Sequence, residues 1–191
     1  NTFTESNHLA QQLIKNPDVE HVIPRLETFA LASFSEKTKG VLILGIDPEK
    51  EKEVNYLHEK VIQGKYLETN NDNAVVIGEG LASQLKLKPN DTLVLLGQGY
   101  HASSAAGKFR VKGIIKLGSP ELNKNIVYMP IRQAQYLHGA ENRLTAISLM
   151  LNKSSSLEGV KSTLQKQIDT NKYEIMTWKE MMPEMDQFIE A

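Results

Sequence analysis

The sequence predicts an α+β fold in which a helix-and-strand framework is interrupted by a β-rich insertion. Three observations carry that prediction. The two ends of the chain alternate amphipathic helices with strands, whereas the middle runs through short apolar strands separated by turn residues. The chain has 191 residues, 40% of them hydrophobic and 24% charged, the composition of an ordinary globular domain. That length is enough to bury a substantial core in one domain or two small ones.

The elements follow in order. Residues 6–15 form a helix, with Ser6 as N-cap, Leu9, Leu13 and Ile14 at helical spacing, and Asn16-Pro17 as the stop. Residues 18–34 read as one long strand or two short ones, and Pro24 demotes the segment to an edge or a bulge. A polar hairpin turn over 35–40 leads into a second, more apolar strand at 41–46, ended by Asp47-Pro48-Glu49. Residues 50–67 are charged and weakly helical. Strands then follow at 74–77, 92–96, 109–116 and 126–129. A short helix at 79–87 separates the first two, and another at 131–138 ends at Gly139. The last fifty residues give a strand at 144–151, a helix from 157 to 168 capped by the serines before it, and a strand at 173–177. Thr177 caps a final amphipathic helix carrying Trp178, Met181, Met182, Met185 and Phe188. The division that results is 1–49 with 140–191 as one α+β part and 50–139 as the insertion. The helices at 6–15 and 157–168 are expected to pack side by side on one mixed sheet. The insertion is expected to touch that sheet little.

Composition excludes several functions. The net charge is −1, with no basic excess to displace counterions from phosphates, so no nucleic-acid partner is expected. Absence of cysteine removes disulfide scaffolds, thiolate zinc sites and cysteine nucleophiles. Apolar runs such as 41–44 fall far short of the roughly 20 residues that span a bilayer. The sequence opens on Asn1 rather than Met, without a signal-peptide pattern, as processing or excision from a longer protein would leave it.

Local motifs offer little catalysis. Gly97-Gln98-Gly99-Tyr100-His101-Ala102 fits the G-x-G-x-x-[GA] form, but strands rather than a helix follow it, so it reads as a hairpin loop. Gly78-Glu79-Gly80 does join a strand to a helix, yet Glu79 would repel a phosphate, leaving a tight turn as the simpler reading. The five histidines are scattered without the spacing of a metal site. Asp47, Glu49, Glu51 and Glu53 alternate with lysines as a solvated face would. No catalytic, cofactor-binding or metal-ligating residue is assigned. The loop 98–107 is long for a hairpin, its 103–107 arm has little side chain to pin it, and Tyr100 and His101 stand out as candidate partner contacts. The same loop, with His101 as base, would be the site if the chain were instead a stand-alone enzyme or a solute-binding protein.

A larger pattern resembles a known family. It comprises Gly45-Ile46-Asp47-Pro48-Glu49, Gln63-Gly64-Lys65-Tyr66-Leu67, and Asn73 through Ala82 with its Val76-Ile77-Gly78 core. It continues with Leu87-Lys88-Pro89-Asn90-Asp91, Phe109-Arg110-Val111-Lys112-Gly113-Ile114 and Val127-Tyr128-Met129-Pro130. In that order these motifs resemble the extracytoplasmic core domain of MacB/FtsX-type ABC transporter permeases. Asn90 departs from the family, which commonly has glycine there. The resemblance implies a discontinuous porter-like α/β sandwich interrupted by a β-rich sabre-like insertion, located between the first two membrane helices of a permease. The final helix, which runs to Ala191 without a C-cap, would then lead back toward the membrane. It implies no catalysis and no cofactor in this domain, with ATP bound by a separate subunit. The partners implied are that ATP-binding subunit, a second permease copy, and an adaptor or lipoprotein substrate. The implied place is the periplasmic side of a bacterial inner membrane, and the implied role is to couple cytoplasmic ATP hydrolysis to export or release.

Overall fold

The structure, a computed structural model, describes residues 2–4, 7–98, 104–152 and 156–181. The chain divides into two compact units, one of Asn1–Asn7 with Ile23–Ser148 and one of His8–Val22 with Leu149–Ala191. A discontinuous unit interrupted by an inserted one is what the sequence predicts, but the boundaries differ. Residues 23–49 and 140–148 belong with the middle of the chain, not with its ends. The physical reason is strand pairing.

The inserted unit is built around a closed ring of strands. Strand β1 (Phe3–Thr4) pairs outside it with β9 (Arg143–Leu144), while β2 (Val19–Phe34) and β3 (Lys37–Ile46) form a hairpin. The hairpin loop is only Ser35 and Glu36, with Ser35 in the left-handed region at φ 54, so β3 begins earlier than the polar stretch 35–40 suggests. Pairing of β2 with β3 starts at Arg25, one residue past Pro24, whose nitrogen has no hydrogen to donate. Strand β3 pairs in parallel with β8 (Ile126–Pro130), and β8 pairs with β5 (Ala74–Gly78). Strand β5 pairs with β7 (Ser104–Ile115), β7 with β6 (Thr92–Gln98), and β6 returns to β2 at residues 30–33. One sheet therefore threads residues 25–130, and the expectation of an insertion touching the framework sheet only lightly is corrected. Short β4 (Val61–Gly64) adds to the outer edge of β7.

Side-chain alternation assigns two cores to the two faces of this sheet. Leu26, Ile43, Ile77, Leu93, Leu95, Val111 and Met129 point inward, where α3 (Glu79–Leu85) adds Leu81 and Leu85, and α5 (Ile131–Leu137) adds Ala134 and Leu137. Val76, Ile115, Ile126 and Tyr128 point outward into a second cluster. Both faces of β5 and β8 are buried, so these strands are continuously apolar, whereas β2 alternates. Helix α4 (Pro120–Asn125), which the sequence reading did not anticipate, starts on the Ser119 side chain, which accepts from the amide of Leu122.

The other unit contains α1 (Asn7–Ile14), the first residues of β2, the end of β10 (Ala146–Leu151), α6 (Leu157–Gln167) and α7 (Trp178–Met181). Helices α1 and α6 each bury an apolar stripe, Leu9 with Leu13 and Val160 with Leu164, and the Gln12 side-chain amide donates to the Gln167 carbonyl. This hydrogen bond links the two helices near their ends; the extended side-by-side packing expected of them on one mixed sheet is not found among the described residues. Ser156 caps α6, accepting from Gly159 N at 3.3 Å. Thr177 and Glu180 form a reciprocal capping box on α7. Residues 173–177, expected as a strand, are not one; the amide of Tyr173 instead closes a turn onto Asp169. Met182, Met185 and Phe188 lie outside the described residues.

Candidate functional site

The conspicuous feature of the inserted unit is an apolar outer face that nothing covers among the described residues. Outward positions of the hairpin and of β6 place Phe29, Leu31 and Leu96 side by side, since Leu31 pairs with Leu96 and Phe29 with Leu42. These are not marginal exposures: Phe29 is 75% exposed, Leu31 51% and Leu96 43%. Gly40, opposite Leu31, contributes no side chain, so the face dips there into a shallow depression of about 850 Å³. Gln98 and Asn125 form polar parts of its lining, and no charged residue among the described ones lines it. A contiguous apolar surface with a polar rim marks a place where another molecule docks.

The same outer surface is covered on the far side of Leu42. Residues 48–73 lie over it, burying Leu57 and Leu67 against Ile126, Tyr128, Val76 and Ile115, with Tyr66 packed beside them. The cover begins at α2 (Pro48–Val54), where Asp47 accepts from the amides of Glu49 and Lys50 and Pro48 occupies the first turn. Three residues beyond Pro48, Glu51 falls on the inward side of this helix and is 1% exposed, correcting the sequence reading of a wholly solvated acidic face. The Nε of Arg25 donates to Glu51 Oε1 at 2.8 Å, and the Asn55 side-chain amide donates to the other carboxylate oxygen. Burial and the Glu51 charge push the phenol of Tyr128 up to about 12 and that of Tyr66 higher still. The Tyr66 hydroxyl and His58 Nδ1 are buried without hydrogen-bond partners among the described residues. This cluster clasps the cover to β2. Its carboxylate is already engaged by two donors.

Other motifs resolve into structure. A Cβ on Gly78 would collide with the Asn123 carbonyl, and one on Gly80 would reach it at 3.0 Å, so these glycines admit the close approach of α3 to α4. Asn123 itself clamps Leu117, accepting from its amide at 2.8 Å and donating to its carbonyl at 2.7 Å. Asn90 takes φ 78, a conformation asparagine tolerates, which explains how it replaces glycine in this turn; Asp91 then accepts from the Lys88 amide at 2.7 Å. Gly97, the first residue of the nucleotide-like fingerprint, lies in β6, paired with Ala30 and Ala105 in antiparallel ladders rather than at the start of a helix.

Of the predicted contacts, Tyr100 and His101 lie outside the described residues. The long loop is shorter than expected, because residues 104–107 extend β7 and pair with β6 from Gln98 back to Leu95. The strand signal there was hidden by small residues, Ala105, Ala106 and Gly107, with little β propensity of their own. The apolar face was missed too. Phe29, Leu31 and Leu96 resemble core residues in sequence, and only pairing reveals that they share an uncovered side.

With this arrangement in hand, likeness to known proteins can be stated. The sequence profile of the MacB-like periplasmic core domain matches residues 1–167. The chain belongs to that family. Its members resemble it in fold beyond the reach of sequence: the periplasmic region of MacB from Actinobacillus actinomycetemcomitans superposes with a TM-score of 0.64 at 16% identity, covering 100% of this chain and 91% of that one. The extracellular domain of the noncanonic ABC-type transporter YknZ from Gram-positive bacteria gives 0.61 at 20% identity, covering 85% of this chain and 78% of that one. Among curated proteins, the lipoprotein-releasing system transmembrane protein LolE of Haemophilus influenzae is 24% identical over 157 residues. That match takes in 79% of this chain but 38% of LolE, so this MacB-like core domain spans well under half of that relative. It is α+β and periplasmic, like the domains it matches. No helix among the described residues is long and apolar enough to cross a membrane.

Proposed function

We propose that this domain is the extracytoplasmic part of an ABC transporter permease. In that role it carries movement driven by cytoplasmic ATP hydrolysis to a substrate outside the membrane. The observation that carries the reading is family membership over residues 1–167, supported by likeness to LolE. The domain is read as non-catalytic, without metal or nucleotide of its own, ATP being bound by a separate subunit. Partners follow from the same reading: that subunit, a second permease copy, and an adaptor or lipoprotein on the periplasmic side. The name of the LolE relative favours lipoprotein release among the transport activities. The unit of residues 8–22 and 149–191 is read as the porter-like part and the unit of residues 1–7 and 23–148 as the sabre-like part.

Within that role, the bare face of Phe29, Leu31 and Leu96 is the surface offered to a periplasmic protein partner, with Tyr100 and His101 beside it in sequence. The test is made in the full-length permease assembled with its ATP-binding subunit. Replacing Phe29 and Leu96 by serine, and separately Tyr100 by alanine, is expected to lower substrate export or release while ATP hydrolysis persists. Undiminished transport by both variants would overturn the assignment of the contact surface. Thermal unfolding of the isolated domain with ATP, NAD or zinc is expected to show no stabilisation, and a rise of several degrees would overturn the non-catalytic reading.

A further inference from the structure

We propose that His138 is a pH-sensitive pin that holds the end of β6, and with it one wall of the apolar depression, in place only while its imidazole is neutral. The inference goes beyond transport. It concerns the geometry of the ring itself, and its test does not depend on what the assembled protein moves.

The pin begins with position. His138 caps the C-terminus of α5, its amide bonded to the Ala134 carbonyl, and its side chain is only 4% exposed. Nδ1 lies 3.3 Å from the carbonyl oxygen of Gln98, the last residue of β6. A carbonyl can only accept, so the neutral ring carries its hydrogen on Nδ1 and donates it there. The ring edge also covers Gly97: a Cβ at that position would reach His138 Cε1 at 3.1 Å, so glycine is what lets the imidazole lie against the strand. Gly97 and Gln98 in turn both line the depression beside Phe29 and Leu96. One side chain from α5 thus fastens the two β6 residues that bound the candidate docking face.

The second nitrogen makes the pin sensitive. Nε2 is buried and has no hydrogen-bond partner among the described residues. As a lone pair it loses one hydrogen bond to water, a modest cost. Protonated, it becomes a buried N–H carrying positive charge with no acceptor to meet it. Among the described residues no charged side chain is hydrogen-bonded or ion-paired to the ring. Burial lowers the basicity of the ring, and the Gln98 carbonyl is what opposes it. On the neighbouring described elements the titratable groups Arg132 and Tyr136 of α5, Glu141 beyond it and Lys108 of β7 are solvent-exposed. Acid therefore favours a state in which the imidazole leaves its site for water, releasing the Gln98 carbonyl and loosening the β6 end from α5.

The sign follows from linkage. Above the ordinary histidine value, about 6.5, native and unfolded chains are both neutral at His138, and the pin costs nothing. As pH falls through 6.5 the unfolded or released state takes a proton that the pinned state refuses, so the pinned state loses ground progressively until its own lower midpoint is passed.

Proton and nitrogen NMR of the 191-residue chain, titrated from pH 8 to 5, tests this without a variant. The His138 ring is expected to titrate below 6.5, and the amides of Gly97 and Gln98 to shift with the same midpoint. Hydrogen exchange at Gly97, corrected for its intrinsic pH dependence, is expected to rise on the order of tenfold per unit below 6.5. His138→Gln, which keeps a donor for the Gln98 carbonyl but cannot titrate, is expected to abolish both responses. Titration at or above 6.5, or silent Gly97 and Gln98 amides, would overturn the proposal. Should the glutamine variant fail to fold, the wild-type titration alone decides.

Discussion

The outer surface of the strand ring offers an internal comparison. On one side of Leu42 it is covered by residues 48–73, and on the other it stands open. Both sides carry large apolar side chains in the same outward register. Ile126, Val76 and Ile115 are at most 2% exposed, while Phe29, Leu31 and Leu96 remain in water. Burying a side chain of that size is worth about 2 kcal/mol, so the open side forgoes stabilisation that the covered side collects. The outward side chains themselves do not explain this, because Phe29, Leu31 and Leu96 are as apolar as Ile126, Val76 and Ile115. What differs is whether the chain returns across the sheet, and it does so only after β3. A surface left apolar without a cover is more naturally kept for a partner than for stability.

Breaking the clasp tests the covered side most severely. Arg25→Ala removes the charge facing a carboxylate that is almost wholly buried, and is expected to destabilise the domain by about 3 kcal/mol in urea unfolding. A loss below 1 kcal/mol would mean that Glu51 is solvated, and the cover looser, than the geometry implies. Leu67→Ala empties the packing between cover and sheet and is expected to cost about 3 kcal/mol by the same measurement. Equal, small costs for Leu67→Ala and Leu96→Ala would erase the distinction between the sides.

Alkaline titration sharpens the comparison spectroscopically. Tyr128 under the cover is held up to about 12, Tyr66 beside it higher, whereas the unfolded chain ionises its tyrosines near 10. Their raised values stabilise the native state below that pH, and the benefit is lost as pH climbs from about 10 towards 12, because the unfolded state releases its protons first. Phenolate absorbance is expected to show two late tyrosines whose ionisation coincides with unfolding. If all six tyrosines ionised together near 10 with the fold intact, the cover would be open to water.

The smallest expected effect falls on the open side. Phe29→Ser and Leu31→Ser are surface changes and are expected to alter stability by no more than about 0.5 kcal/mol. Their effect should appear instead in partner binding or transport by the assembled permease. A loss of several kcal/mol would show that the face is part of the core, and the proposed docking role would fall with it.

Much of this protein was legible in its residues. Period-two alternation located β2 and β10, an apolar run located β3, turn chemistry at Pro89-Asn90-Asp91 and Asp47-Pro48 located the breaks, and Ser156 and Thr177 announced their helices. These are local interactions, within one strand or one helical turn, so the sequence determines them alone. The order of family motifs was likewise sufficient to point to the MacB-like core domain. The boundary between the units, the burial of Glu51 and the open face were decided elsewhere. Residues 23–46 look like part of the terminal framework until β3 finds β8, about eighty positions away, and β6 closes the ring on β2. Glu51 reads as one more charge among lysines until Arg25, 26 residues earlier, meets it under the cover. Phe29 and Leu96 are merely apolar until pairing turns them to the same side. Each depends on contacts between residues far apart in the chain, and the free energy of such contacts exists only once tertiary structure has brought the partners together.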